Sequence, residues 1–204
     1  MHHVTALIAL LAKGGPVMVP LLVCSVLSLS VIIERAGFWW RRRDVARAER
    51  ALRLVAHAKF DEAAEIAGAS RAPEARVIVA GLGHRGSGAA QVMELVAQEE
   101  LGLARRYLPV LDTVITLSPL LGLLGTVTGM IAAFGVLSTS GMNQPNAITG
   151  GVAEALIATA VGLGIAIATL VPYNYFSARV ERAVEAMERC GSRVEQALAE
   201  HEIP

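Results

Sequence analysis

Hydrophobic residues along this chain gather into three stretches, and charged residues fall almost wholly between and after them. From Val17 to Ile33 most side chains are apolar, and the run stops abruptly at Glu34 and Arg35. Between Arg106 and Arg179 there is no Lys or Arg, and the only acids are Asp112 and Glu154. One membrane crossing needs about 20 apolar residues, so this second region is long enough for two. The pattern predicts spans at residues 17–33, 109–137 and 147–176.

The segments outside the spans also read as helix. Residues 34–108 are rich in Ala, Arg and Glu and show no strand-like alternation. Breaks are expected near Gly68 to Pro73 and Gly81 to Gly88, with Asp61 as N-cap of a helix through Ile66. From Ala89 the helical pattern runs on into the second span without a strong breaker. The last span likewise continues into residues 177–204, where Val180, Val184, Met187, Gly191, Val194 and Leu198 recur four and three apart. Such a heptad seam has to be buried, on the 34–108 segment or on a neighbouring copy, and internal packing is the simpler reading. Val4 to Leu11, within residues 1–16, is too short to span and reads as an interfacial helix. The expected class is an all-α integral membrane protein with three transmembrane helices and long cytoplasmic helical extensions.

Composition agrees: of 204 residues 54% are hydrophobic and only 18% charged, which excludes an ordinary soluble domain with one core. Of the 18 Lys and Arg, those between the first and second spans dominate, four follow the third span, and none lies between Ser138 and Gly150. By the positive-inside rule the N-terminus and the 138–146 loop are external, and residues 34–108 and 177–204 are cytoplasmic. The first span is read as retained and not as a signal peptide, because only Lys13 precedes it, Arg35 and Arg41 to Arg43 follow it, and no small-x-small cleavage site closes it. The Arg41 to Arg43 run is explained by topology and anionic lipid heads, not by nucleic acid. Cys24 lies in the first span and Cys190 in the tail, so they do not pair on this topology. His2, His3, His57, His84 and His201 have no metal-ligand spacing; no metal or cofactor is expected.

The candidate chemistry sits in the last two spans. Gly122, Gly125, Gly129 and Ala133 recur three or four apart on one, and Gly151, Ala155 and Thr159, with Ala158, Gly162 and Ala166, on the other. Small residues allow close helix approach, so Gly122, Gly125, Gly129, Ala155, Ala158 and Gly162 are the expected packing residues of an antiparallel hairpin. Thr126 lies about 16 Å and Thr159 about 20 Å in from the external end, which puts both hydroxyls in one layer. Glu154 lies a turn nearer the outside. A carboxylate near the bilayer centre costs on the order of 3 kcal/mol and normally faces a bundle interior or a water-filled path. An acid that loads a proton, with hydroxyls that donate and accept, is what an ion path requires. The structural alternatives are an interfacial acid favoured by the helix dipole for Glu154, and local backbone hydrogen bonds for the threonines. Asp112 reads as an interfacial acid.

The string SPLLGLLGTVTGMIAAF from Ser118 to Phe134, followed by GGVAEALIATAVGLGIAIA from Gly150 to Ala168 and then Tyr173-Asn174, closely resembles the MotA/TolQ/ExbB proton-channel family. Three spans with a large first cytoplasmic loop look most like ExbB, then TolQ. The resemblance implies a homopentameric ring in a bacterial inner membrane, with a periplasmic N-terminus and a cytoplasmic C-terminus. It implies a single-span ExbD-like or TolR-like partner that supplies an aspartate, and a TonB-like protein through which proton flow energises outer-membrane transport. The positions matching Thr126, Glu154 and Thr159 are associated with the ion path. The chain departs from the family's pattern at Thr128, where many members have Trp, and at Ala168, where a proline is usual; Pro172 follows four residues later and would shift a kink towards the cytoplasm. The alternatives are a TolQ-like envelope-maintenance subunit and a non-conducting membrane scaffold. An enzyme is not expected, since the spans hold no His and no second deep carboxylate.

Overall fold

A computed structural model describes residues 14–85, 88–140 and 145–201, with side chains outside 136–148. Among the described residues every regular element is helical: α1 Met18–Arg41, α2 Val45–Ala56, α3 Phe60–Gly68, α4 Pro73–Gly83, α5 Ala89–Arg105, α6 Leu108–Ser140 and α7 Pro145–His201. Three stretches, in α1, α6 and α7, are long and apolar enough to cross a membrane. The interfacial helix expected over Val4 to Leu11 lies outside the described residues. The chain divides into two compact units, the first built from residues up to Ile32 with Tyr107–Asn174, the second from Ile33–Arg106 with Tyr175–Pro204.

In the first unit α6 and α7 form a hairpin whose contact face is almost free of side chains. A Cβ on Gly162 would lie 2.5 Å from the Ser118 carbonyl oxygen, and one on Gly125 2.5 Å from Ala158 Cβ. One on Gly129 would lie 3.0 Å from Ala155 Cβ, and one on Gly122 3.0 Å from Thr159 Cα. Backbone meets backbone here because nothing larger than a methyl group stands between them, which is how helices without a hydrophobic driving force gain contact. The start of α1 closes one side, with Val17, Met18 and Leu21 buried against Ala158 beside Leu121, Val161 and Ile165. Elsewhere α1, α6 and α7 turn large apolar side chains outward, among them Leu22, Val26, Leu120, Ile131, Leu156 and Ile167. Lipid is the solvent such a surface fits.

The second unit has a conventional core. Ala48, Ala51 and Val55 of α2, Ala63 and Ala67 of α3, Ile78 and Leu82 of α4 and Met93 of α5 pack with Met187, Cys190, Val194 and Leu198 of α7. The seam read after Phe176 is therefore buried on the 34–108 helices. Gly81 lets α4 approach α7, since a Cβ there would lie 2.8 Å from Val194 Cγ1. The α3–α4 connection is fastened by Ser70, whose hydroxyl donates to the Asp44 carbonyl at 3.1 Å and accepts from the Ala72 N–H at 3.2 Å. Pro73 then opens α4 at a position where its missing N–H costs nothing. Glu100 is fully buried and receives both Arg42 and Arg76.

Two expectations are corrected. Asp61 is not an N-cap: α3 starts at Phe60 after Lys59, and Asp61, in the first turn, accepts from Arg85 at 2.8 Å. The helix from Ala89 does not run on into the second apolar one. It stops at Arg105, Arg106 is extended at φ −52° and ψ 133°, and Tyr107 takes a left-handed φ of 66° before α6 begins. The cause is Pro109, whose ring would collide with the carbonyl of Arg105 in a continuous helix.

Candidate functional site

The small-residue contact fixes where each hydroxyl and the carboxylate can point. At about 100° per residue, Thr159 and Glu154 project about 70° to either side of the Gly151, Ala155, Ala158 and Gly162 stripe, and so onto opposite flanks of the hairpin. Glu154 shares its flank with Val161 and Ile165, which pack against the start of α1. Thr126 is displaced from its own stripe away from Leu121, the α6 residue on the α1 side. Thr126 and Thr159 thus share the flank that α1 leaves open.

Glu154 is half-buried and meets the turn that leads into α1. Its carboxylate crowds the place a side chain on Gly15 would fill: a Cβ on Gly15 would overlap Glu154 Oε1 and lie 2.9 Å from Cδ. Gly15 also holds φ at +71°, a region that favours glycine. Among the described residues the carboxylate has neither a hydrogen-bond nor an ion-pair partner. The carboxylate is thus packed beside the turn and joined to no cation among the described residues.

The threonines differ from each other. Thr159 donates to the Gly122 carbonyl at 2.9 Å, a bond across the hairpin and not to its own helix. Thr126 donates to Leu123 within its own helix at 2.7 Å and lines an open groove of about 520 Å³ with Val127, Met130, Ile131 and Phe134. Because Thr159 faces Gly122 and Ala158 faces Gly125, Thr126 and Thr159 lie within about a turn of one another in depth. The structure brings the two hydroxyls to one flank and one level, and does not bring Glu154 to them. Thr128 is exposed and bonds to the Leu124 and Gly125 carbonyls at 3.0 and 3.2 Å, while α7 runs through Pro172 without ending.

The model of the MotA/TolQ/ExbB proton channel family matches residues 69–189, more than half of the chain and all of both stripes. The chain belongs to the MotA/TolQ/ExbB family. Among its family relatives, the protein named ExbB-like 3 of Synechocystis is 38% identical over 176 residues, 80% of this chain and 81% of that one. ExbB-like 1 of the same organism is 35% identical over 193 residues, covering 90% of this chain and 75% of the relative. The Tol-Pal system protein TolQ of Pseudomonas aeruginosa is 41% identical over 97 residues, 48% of this chain and 42% of TolQ. ExbB-like names lead. With three apolar helices and this family membership, the chain is a multi-pass membrane protein of a proton-channel family.

One neighbour of Glu154 is not apparent from the sequence of this MotA/TolQ/ExbB family member. Gly15 precedes Pro16 ahead of the first apolar run, and no spacing in a single sequence connects it with a residue 139 positions later. The opposite flanks of Glu154 and Thr159 were accessible, since five residues turn a helix by about 140° beyond one full rotation.

Proposed function

We propose that the chain is an ExbB-like subunit of an inner-membrane, proton-driven energy-coupling complex. In this reading it forms a homopentameric ring, works with an ExbD-like single-span partner, and energises outer-membrane transport through a TonB-like protein. The N-terminus is periplasmic, residues 17–33, 109–137 and 147–176 cross the membrane, and residues 34–108 and 177–204 are cytoplasmic. The observation that carries the reading is Glu154, a carboxylate without a partner among the described residues in the third apolar helix of a proton-channel family member. The open flank with Thr126 and Thr159 is where a partner helix fits, its polar group reaching two hydroxyls at one level. Glu154 serves as the proton-loading group on the other flank, next to the α1 turn, so that the ring, not one hairpin, completes the path.

The test is proton uptake into proteoliposomes under an imposed potential. The chain and its ExbD-like partner together should conduct, and either alone should not. Absence of flux from an assembled pair would contradict the channel reading and leave a scaffold. A TolQ-like role remains the second reading, supported by the 41% identity to TolQ; rescue of envelope integrity in a strain without TolQ, in place of transport in a strain without ExbB, would select it.

A further inference from the structure

A cavity of about 1010 Å³ opens in the second unit between the end of α1 and the α3–α4 connection. Arg41 and Arg42 reach it from α1, Arg71 from the connection and Arg76 from α4, and Ile33 and Phe38 give it an apolar side. Its charges do not cancel. Arg42 and Arg76 share the single carboxylate of Glu100, and Glu34 is held by Arg35 at 2.5 Å. Arg41 and Arg71 are exposed and have no carboxylate partner among the described residues. Four guanidinium groups are thus compensated by one carboxylate, around a space large enough for a polar head. Guanidinium forks match the oxygens of a phosphate, and their weak hydration favours that exchange.

The position along α1 says where the phosphate comes from. The apolar run ends at Ile33, and Arg41 follows about 12 Å further along the same helix. A headgroup layer is about 5–7.5 Å thick, so the helix crosses it between Ile33 and Arg41 and brings the arginine to its aqueous edge. Trp40, 73% exposed beside Arg41, is the residue type that settles at this level. The apolar side formed by Ile33 and Phe38 has no use for a soluble phosphate but suits the glycerol end of a lipid. We propose that the cavity binds the phosphate of an anionic phospholipid from the leaflet at the C-terminal end of α1. The head lies among Arg41, Arg71 and Arg76, and the glycerol end lies against Ile33 and Phe38. This site anchors the second unit to the membrane surface and does not depend on whether ions pass through the first.

The experiment is native mass spectrometry of the full-length, delipidated protein titrated with phosphatidylglycerol, phosphatidylcholine or inorganic phosphate. Phosphatidylglycerol should be retained at least about tenfold more tightly than phosphatidylcholine. Arg71→Gln should weaken it about fivefold, and Arg41→Gln with Arg71→Gln more, leaving phosphatidylcholine unchanged. Equal retention of the two lipids, or an unaltered affinity in the double variant, would overturn the proposal. Displacement of phosphatidylglycerol by equimolar inorganic phosphate would also overturn it, by showing a site for free phosphate. The oligomer mass of each variant is the folding control, and Arg71→Gln, a change at one exposed side chain, carries the test if the double variant fails it.

Discussion

At Gly15 two demands coincide, a left-handed φ of +71° and a carboxylate standing where a side chain would be. Alanine there pays about 1–2 kcal/mol for the backbone alone, and its methyl group pushes Glu154 aside. Gly15→Ala should lower partner-dependent proton flux while the complex still assembles, which flux and oligomer mass together would check. A titratable residue of the second unit offers a different prediction. Glu74 is 5% exposed, and burial raises its pKa against the opposing pull of its backbone hydrogen bond, Arg179 and Arg189, with Glu49 adding to the rise. The folded state therefore holds this proton more tightly than the unfolded chain does. Its stabilising contribution is full below the ordinary carboxylate range and is lost as pH rises through the folded value. Glu74→Gln should raise the thermal midpoint at about pH 7, with the difference from wild type closing below about pH 4. At this scale Glu154 was legible, because an isolated charge in an apolar run stands out. Its neighbour was not, because only the tertiary fold brings Gly15 to it.

Helix packing is decided by what is missing from the contact face. With Gly162 Cα backing onto the Ser118 carbonyl and Gly122, a larger side chain has no space and no flexible neighbour to displace. Gly162→Leu should separate α6 from α7 and destabilise the hairpin by about 1–3 kcal/mol, whereas Gly164→Leu, at a glycine with open space around it, should be near neutral. Thermal unfolding in detergent distinguishes the two. The stripes and the seam on α7 could be read from the chain because helical periodicity repeats the same face every three or four residues. The break at Arg106 and Tyr107 was missed although Pro109 announces it. Apolar periodicity continued across the junction and hid a backbone conflict that periodicity does not report.

The whole molecule joins a first unit whose outer surface suits lipid to a second with an alanine-rich soluble-type core. Charge and hydropathy were enough to separate these regions, since each crossing leaves a long run without Lys or Arg. The two flanks of the hairpin follow from helical rotation, and the central proposal is built on them: Glu154, on the flank closed by α1, is proposed to load the proton, and Thr126 and Thr159, on the open flank, to meet a partner. The most direct measurement is proton uptake by proteoliposomes holding the chain with its ExbD-like partner, compared with the same pair carrying Glu154→Gln at equal assembly. The account predicts that the substitution abolishes partner-dependent flux; flux equal to that of the unaltered pair would contradict it and return Glu154 to a packing role beside Gly15.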